Sequence, residues 1–266
     1  MIELLEQLLG APVMLEELKH RAGRRRTLRA KGPAGTAIVK VYASERAPVV
    51  ASRIAALGDG PREPEVPRVL VVEPARHLLV LSDLRGVPFR EAILAEDAET
   101  CARVGNALGA WHSFWVGREP WPLRPHRVER ELAVLRARAE AVSPAVASVL
   151  RSAAGVLSAE WRCSTVVHRD LYEEQILVAE SVGLIDLDDA ALGPPELDIG
   201  NLSAHVELLA LRSGRVLASA FRALLAGYAR SGPTLDPELL ERCRTLSMLR
   251  LACIHGEAAL VGRAVA

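Results

Sequence analysis

Short runs of β-branched and aliphatic residues, separated by glycine, proline and charged residues, fill most of the first 84 positions. This spacing is typical of strands joined by turns. Residues 2–9 form a short amphipathic pattern instead, and residues 45–58 also have helical periodicity. The sheet is expected to begin near Pro12 and to use the runs Thr27–Ala30, Thr36–Ala43, Arg68–Val72 and Leu78–Leu81. The pattern predicts a small antiparallel sheet.

From Pro88 onward, apolar residues recur at helical spacing, so the rest of the chain is expected to be mainly helical. Asp97 has the chemistry of a helix N-cap. The predicted helices are Asp97–Ser113, Glu129–Ala141, Pro144–Leu157, Gly200–Leu211, Val216–Ala229 and Pro237–Val261. We therefore expect an α+β protein in two parts, a sheet in residues 1–84 and a helical part in residues 85–266.

Composition narrows the classes of function. The 266 residues are 50% hydrophobic and 25% charged, and the formal net charge is zero. A neutral chain argues against nucleic acid or a membrane surface as the main partner. No apolar run approaches a membrane span, and Glu3 and Glu6 stand where a signal peptide would carry basic residues, so a cytoplasmic protein is expected. Four scattered cysteines predict neither a zinc site nor a disulfide framework.

A dense group of charged residues opens with His168-Arg169-Asp170 and continues with the amide Gln175, five residues after the aspartate. Asp186 supplies a further carboxylate. Phosphoryl transfer needs an aspartate that orients the attacking hydroxyl, together with amide and carboxylate oxygens that hold magnesium against nucleotide phosphates. Asp170, Gln175 and Asp186 fit these three requirements in chain order.

A short hairpin is expected to bring two of these side chains together. Ile176–Ala179 and Leu184-Ile185 are strand-like, and the polar residues 180–183 between them are turn-like. Gln175 precedes the first strand and Asp186 follows the second, so the two should lie side by side. The alternative is a buried ion-pair cluster that only closes the hairpin.

The pattern His-Arg-Asp-Leu-x-x-x-amide, followed by a hydrophobic residue and Asp, resembles the catalytic and metal loops of the protein-kinase-like superfamily. The acidic segment Asp188-Asp189, a Gly-Pro turn at Gly193-Pro194 and a later aspartate, Asp198, make it most similar to the aminoglycoside phosphotransferase and choline kinase branch. The resemblance implies a two-lobed protein-kinase-like fold with a small antiparallel-sheet N-lobe and a mainly helical C-lobe.

The resemblance also implies roles for individual residues. Asp170 would be the catalytic base, Asp186 the main magnesium ligand and Gln175 the second ligand. Asp188 would contact a second metal ion. Family members usually have asparagine where this chain has Gln175, whose extra methylene moves the amide outward or calls for an intervening water.

Three further residues are expected to have structural roles. His168 and Arg169 would support the catalytic loop. For Asp198, the interpretation as the cap of a helix that starts at Ile199 is favoured. His112, on a predicted helix, is interpreted as a structural histidine whose hydrogen bonds are satisfied.

In the sheet, Lys40 resembles the lysine that binds nucleotide phosphates from the third strand of kinases. The alternative is that Lys40 points to water from an edge strand. Residues 20–26, with Gly23 and Arg25, occupy the place of the glycine-rich phosphate loop, and arginine forks suit phosphate oxygens. The helix over residues 45–58 has Glu45 only at its extreme start, so either Glu45 pairs with Lys40 or that pairing is absent.

The backbone near Ser82 to Leu84 resembles the hinge that pairs with adenine. The resemblance implies a phosphotransferase that uses ATP or GTP with Mg²⁺ and phosphorylates a hydroxyl of a small molecule, such as an aminoglycoside-like antibiotic, a sugar or an amino alcohol. The alternative is a pseudokinase that binds a nucleotide or ligand without phosphoryl transfer. Residues 201–266 contain eight arginines and five acidic residues. This excess of positive charge disfavours a polycationic acceptor. The sequence specifies no oligomeric state.

Overall fold

The computed structural model describes residues 1–139 and 161–265. The helices are α1 (Ile2–Leu9), α2 (Ala47–Leu57), α3 (Arg90–Ala95), α4 (Ala98–Trp115), α5 (Val128–Ala139), α6 (Pro195–Ser213), α7 (Ala218–Tyr228), α8 (Pro237–His255) and α9 (Ala258–Val265). The strands are β1 (Met14–Arg21), β2 (Arg25–Gly32), β3 (Gly35–Tyr42), β4 (Val69–Glu73), β5 (Leu78–Ser82), β6 (Val87–Pro88), β7 (Thr165–Val167), β8 (Ile176–Val178), β9 (Val182–Leu184) and β10 (Ala191–Gly193). The helix predicted at Pro144–Leu157 lies outside the described residues.

The N-terminal sheet has five antiparallel strands in the order β1-β2-β3-β5-β4. Alternation along β5 directs Leu79 and Leu81 toward the core that contains α2, and Leu78 and Val80 toward the core that contains α1. Lys40 lies on the central strand β3, opposite Thr27 and Leu79. Its exposure is 4%, so the edge-strand alternative for Lys40 is wrong.

The helical part is held by close contacts between helix backbones. A Cβ atom added at Gly105 of α4 would lie 1.9 Å from the carbonyl oxygen of Leu224 in α7. A Cβ atom added at Gly227 of α7 would lie 1.9 Å from the carbonyl oxygen of Ala102 in α4. Each glycine therefore allows the other helix to approach, and α4 and α7 form one layer behind the catalytic loop.

Two of the predicted helices differ from the structure by more than two residues, and the short helix α3 was not predicted. The helix predicted at Gly200 begins five residues earlier, because Pro195 suits its first turn, where proline has no N–H to satisfy. The single helix predicted over Pro237–Val261 is two helices, α8 and α9. Gly256, at φ 69°, ends α8 in the left-handed conformation, and its N–H donates to the carbonyl of Ala252.

The predicted fold class is confirmed: an antiparallel sheet precedes a mainly helical part. Asp97 caps α4 as expected, since its side chain accepts from the N–H of Thr100. Within the described residues, no helix is both long and apolar enough to cross a membrane. The division of the chain into two parts between residues 84 and 85 stays a prediction.

Gly105→Ala is expected to lower the free energy of unfolding by about 1 kcal/mol. Overpacking against Leu224 costs about 1–3 kcal/mol and outweighs the gain of about 1 kcal/mol that alanine has over glycine in a helix. Urea unfolding of the two proteins measures the difference. Gly262→Ala is the control, since an added Cβ on this helical glycine meets nothing within 4 Å. Equal stability of the two variants would contradict the close approach of α4 and α7.

Candidate active site

The loop that carries Asp170 follows strand β7, whose three residues are buried. Arg169 adopts φ 72°, which is uncommon for a residue with a side chain. The backbone N–H groups of His168 and Arg169 donate to the two carboxylate oxygens of Asp198, at 2.7 and 2.8 Å. His168 also contacts the carbonyl of Ile185 through Nε2, at 2.7 Å. These bonds hold the loop against the hairpin and offset the cost of its left-handed residue.

The predicted cap role of Asp198 is wrong. Asp198 is the fourth residue of α6, and its carboxylate holds the catalytic loop instead of the helix N-terminus. His112 Nε2 lies 3.3 Å from Asp198, and His112 Nδ1 lies 2.9 Å from the hydroxyl of Tyr228. Because the carboxylate only accepts, Nε2 is the donor there. The interpretation of His112 as a satisfied structural histidine is confirmed.

The predicted hairpin places Gln175 beside Asp186, since the N–H of Ile185 donates to the carbonyl of Gln175 at 3.0 Å. Gln175 ends a 3₁₀ turn, Glu173–Gln175, and its side chain is buried at the edge of the cleft. Asp186, two residues after the end of β9, adopts φ 62°. The left-handed residue turns the chain so that its carboxylate faces the N-terminal sheet.

Asp186 binds two cations from that sheet. The guanidinium of Arg25 donates from Nη1 to Oδ1 at 2.8 Å and from Nη2 to Oδ2 at 2.9 Å, and Lys40 Nζ lies 2.9 Å from Oδ1. Burial alone would raise the pKa of Asp186, but the charge of Lys40 and the hydrogen bonds of Arg25 outweigh burial and hold the pKa well below its usual range. Asp186 is therefore ionised at any physiological pH.

Asp188 is the second carboxylate that binds Lys40, through its Oδ1 atom. Its Oδ2 atom accepts from the hydroxyl of Tyr42 at 2.8 Å and also from Arg25. Burial, and then the charge of Asp188, raise the pKa of Tyr42. Within the described residues, the ion pairs of Lys40 are with Asp186 and Asp188 and not with Glu45. A glutamate at the start of α2 is not its partner.

Helix α2 supports this acidic segment with arginines instead of supplying an acid. Arg53 donates to the backbone carbonyl of Asp188 at 2.7 Å, and Arg46 pairs with Asp189 at 2.8 Å. Sequence analysis missed both residues and Tyr42. The signal for Tyr42 was its position two residues after Lys40 on one strand, which puts both side chains on the same face. No signal in the sequence identified the arginines.

A cleft of about 630 Å³ lies between the sheet and the hairpin. One end of the cleft is polar and is lined by Lys40, Arg25, Gln175 and Asp186. Its other walls include Ile38, Leu81, Ser82, Leu84, Leu177 and Ile185. The N–H of Ser82 already donates to the backbone carbonyl of Arg68 at 2.9 Å. Gly23 lies in the turn between β1 and β2, at φ 66°, and is not among the residues that line the cleft.

A second cavity, of about 570 Å³, lies over Asp170. Lys19, Tyr172 and Glu174 line both cavities, so the two adjoin. The ring of Tyr172 stacks on His205 with centroids 4.7 Å apart. Asp170 is about half exposed to this cavity, and Arg250 Nη2 lies 4.0 Å from its Oδ1 atom. Asp170 lines the second cavity and Asp186 the first, and both also line a small pocket of about 70 Å³ together with Asp188. The two aspartates therefore stand at the junction of the cavities.

The side chains at this junction fit a magnesium ion. Asp186 is an ionised hard oxygen donor whose present partners are cations, and Gln175 lines the same cleft from the neighbouring strand of the hairpin. Within the described residues, no group of three or more His, Cys, Asp and Glu side chains is arranged to hold a metal ion. That finding is compatible with magnesium, which proteins commonly bind through one or two carboxylates plus the phosphates of a substrate.

The model of the phosphotransferase enzyme family matches residues 15–234. Solved structures are similar over nearly the whole chain. Choline kinase from Cryptosporidium parvum Iowa II has a TM-score of 0.67 at 11% identity, covering 95% of this chain and 87% of that one. Amicoumacin kinase in complex with AMP-PNP, Ca²⁺ and Ami has a TM-score of 0.65 at 15% identity, covering 94% and 86%. Spectinomycin phosphotransferase in complex with ADP and spectinomycin has a TM-score of 0.62 at 16% identity, covering 98% and 88%.

These likenesses confirm the kinase-like fold that the motifs predicted, and at such identities they show the fold alone. A curated relative, the probable bifunctional tRNA threonylcarbamoyladenosine biosynthesis protein of Methanothermobacter thermautotrophicus, is 41% identical over 46 residues. That match covers 17% of this chain and 8% of the relative.

His205 is expected to make the protein less stable in acid. Burial, and then the charges of Arg250, His255 and Arg212, lower the pKa of His205 to about 3. The unfolded chain takes up this proton below about pH 6.5, whereas the folded chain does not until about pH 3, so stability is lost as pH falls through that window. At pH 5 the loss is about 2 kcal/mol.

His205→Gln removes the titrating group. The difference in free energy of unfolding between variant and wild type should therefore shift by about 2 kcal/mol in favour of the variant between pH 7.5 and pH 5. Urea unfolding at both pH values measures this shift. A difference that is independent of pH would show that His205 takes up its proton equally well in the folded protein.

Proposed function

The chain belongs to the phosphotransferase enzyme family, and on that premise we propose that it transfers the γ-phosphoryl group of ATP or GTP to a hydroxyl of a small molecule. The observation that carries the proposal is the junction of the two cavities. Asp186, an ionised carboxylate, ends the first cavity, and Asp170 stands in the second. Two of the similar structures, spectinomycin phosphotransferase and amicoumacin kinase, hold an adenine nucleotide together with a small molecule.

The nucleotide would occupy the first cavity. The aliphatic residues of that cleft suit a purine ring, and the backbone near Ser82 and Leu84 would pair with its edge. Lys40 and Arg25 would bind the phosphates, with Gly23 in the turn above them. Arg25 would then exchange Asp186 for phosphate oxygens. In this proposal the boundary between the two lobes lies at residues 84 and 85.

The acceptor would occupy the second cavity with its hydroxyl beside Asp170. The oxygen of that hydroxyl forms the new bond to phosphorus, and the bond from phosphorus to the β-phosphate oxygen breaks. Asp170 accepts the hydroxyl proton and later releases it to water. His168, Arg169 and Asp198 keep Asp170 in place through the hydrogen bonds of the loop.

Mg²⁺, when bound, would neutralise the charge that develops on the phosphate oxygens. Asp186 would hold it as the main ligand and Gln175 as the second. A contact of Asp188 with a second metal ion stays a prediction. Since Asp188 already binds Lys40 and Tyr42, we propose that its main task is to orient Lys40.

A second candidate is a protein that binds nucleotide without transferring phosphate. The specific observation in its favour is that Arg25 covers both carboxylate oxygens of Asp186, where a metal ion would have to bind. Against it stand the intact Asp170 and Asp186. The two candidates differ in whether Mg²⁺ displaces Arg25 from Asp186.

Thermal unfolding with ATP or GTP, with and without Mg²⁺, tests the proposal. We expect a stabilisation that requires Mg²⁺ and is lost in Asp186→Ala; nucleotide at 100 times its Kd would contribute about 2.7 kcal/mol.

Asp170→Asn should keep this stabilisation and lose about 10²- to 10⁴-fold in turnover, because it removes only the base. Gln175→Asn, which keeps an amide oxygen, should retain activity. Full turnover by Asp186→Ala would refute the metal site.

Asp188→Asn is expected to raise the KM for ATP about tenfold and to change kcat less. The amide keeps the volume of the side chain but removes the charged partner of Lys40, and a charge-assisted hydrogen bond contributes about 1.5–3 kcal/mol. Steady-state kinetics at saturating Mg²⁺ separate the two constants. Glu45→Gln is the control, and an equal loss in that variant would identify Glu45 as the partner of Lys40.

A further inference from the structure

We infer that the acceptor bound over Asp170 is a hydroxyl compound that also carries an oxyanion, a carboxylate or a phosphate, rather than a polycation. The inference rests on the proposed function, and it adds the chemical class of the acceptor. It follows from how the charges around the second cavity are distributed and paired.

Two helices, α6 and α8, form one wall of the cavity. Among the described residues of that wall, the basic or titratable side chains are His205 and Arg212 from α6, and Arg250 and His255 from α8. The other residues that these helices contribute to the cavity are aliphatic: Leu208, Leu209, Leu251 and Ile254. Neither helix contributes a carboxylate to this lining. Burial lowers the pKa values of both histidines, so they are neutral, and the two arginines are the cations of this wall. The wall therefore offers two guanidinium groups and apolar surface, which suits a compact organic anion.

Basic residues also line the opposite side. Lys19 and Arg21 of β1 and Arg24 of the following turn all face the cavity. None of the three has an ion pair with a carboxylate among the residues that the structure describes. The depressed pKa of Lys19, which follows from burial and then from the charge of Arg21, agrees with a positive potential on this side.

The four carboxylates that line the cavity leave little for a cationic ligand. Asp170 is the proposed base. Asp189 pairs with Arg46 at 2.8 Å, and Glu174 pairs with Arg90 at 3.4 Å.

Glu173, the fourth, is 6% exposed, and its Oε2 atom is buried without a hydrogen-bond partner. A ligand in the cavity cannot reach that atom. An ammonium group would thus meet basic side chains, two carboxylates that are already paired and the buried Glu173, whose Oε2 atom lies 3.8 Å from His205 Nδ1. Only Asp170 would remain for it, whereas an oxyanion would meet several guanidinium groups.

Arg212 is the best placed anchor for the oxyanion. Glu257 contacts its Nε atom at 3.3 Å, which leaves the two Nη groups free of hydrogen bonds to the described residues. Arg250 is less available, because Glu131, Asn201 and the nearby Asp170 already surround its guanidinium. Arg250 instead holds the base in position beside the anion.

Binding of matched three-carbon probes tests the inference. Glycerate and glycerol 3-phosphate carry a carboxylate and a phosphate beside hydroxyl groups, glycerol has no charge, and kanamycin is a polycation. Isothermal titration of each probe would be run on the full chain, with and without saturating Mg²⁺ and AMP-PNP. We expect at least one of the two anions to bind, with glycerol and kanamycin at least about tenfold weaker. Which anion binds distinguishes a carboxylate from a phosphate acceptor.

Arg212→Ala and Arg215→Ala form a matched pair of variants. Arg212 is 47% exposed and pairs with Glu257 at 3.3 Å; Arg215 is 46% exposed and pairs with Glu96 at 3.1 Å, outside the cavity. Arg212→Ala should weaken anion binding about tenfold or more, since hydrogen bonds to charged groups are lost, while Arg215→Ala should leave it unchanged.

The inference is overturned if neither glycerate nor glycerol 3-phosphate binds, or if glycerol binds as tightly as they do. It is also overturned if Arg212→Ala and Arg215→Ala bind the anions equally well, or if kanamycin binds or accepts phosphate. These results are separable from failure of the proposed function. Phosphorylation of kanamycin would support a phosphotransferase while removing the anionic acceptor. Anion binding that depends on Arg212, in a protein that Mg²⁺ and ATP do not stabilise, would keep the anion site and remove the phosphotransferase.

Discussion

Four charged side chains, Arg25 and Lys40 from the sheet and Asp186 and Asp188 from the hairpin, form one largely buried cluster on which the site depends. Buried charges are costly to remove from water, and losing one partner from such a pair leaves an uncompensated charge at a cost of about 3–5 kcal/mol. The cluster therefore favours an arrangement in which the two parts of the molecule face each other. The cleft between sheet and hairpin is a consequence of that pairing.

One side chain likewise positions the whole catalytic loop. A single carboxylate, Asp198, accepts two backbone N–H groups of the loop and contacts His112 behind it. Because Asp198 belongs to the first turn of α6, the loop is attached to one of the two longest described helices of the molecule. Backbone hydrogen bonds of the loop thus keep Asp170 in place, while its side chain stays exposed to the cavity. A catalytic base needs that exposure to reach the hydroxyl of an acceptor.

Net charge conceals how the charges are arranged. The chain is neutral as a whole, yet arginines and a lysine surround the cavity over Asp170, and the carboxylates near them are paired or buried. Local fields act over distances of about a Debye length or less, so the potential that a ligand experiences depends on these neighbours and not on the total. The neutral composition of the chain argued against nucleic acid as the main partner but carried no information about this wall.

Local patterns in the sequence were enough to predict the longer strands of the N-terminal sheet, most of the helices and the order of Asp170, Gln175 and Asp186 along the catalytic segment. The short strands β6, β7 and β10 were not predicted, and β9 begins at Val182, inside the predicted turn. Such patterns record interactions between residues close in the chain, where periodicity and spacing are visible. The tertiary structure decided which groups meet: Asp188 and Tyr42 beside Lys40, Asp198 beneath the loop, and Arg212 in the lining of the cavity over Asp170. Those contacts join residues far apart in the chain, more than a hundred positions for Lys40 and Asp188, and only the packing of whole elements brings such pairs within reach of one another.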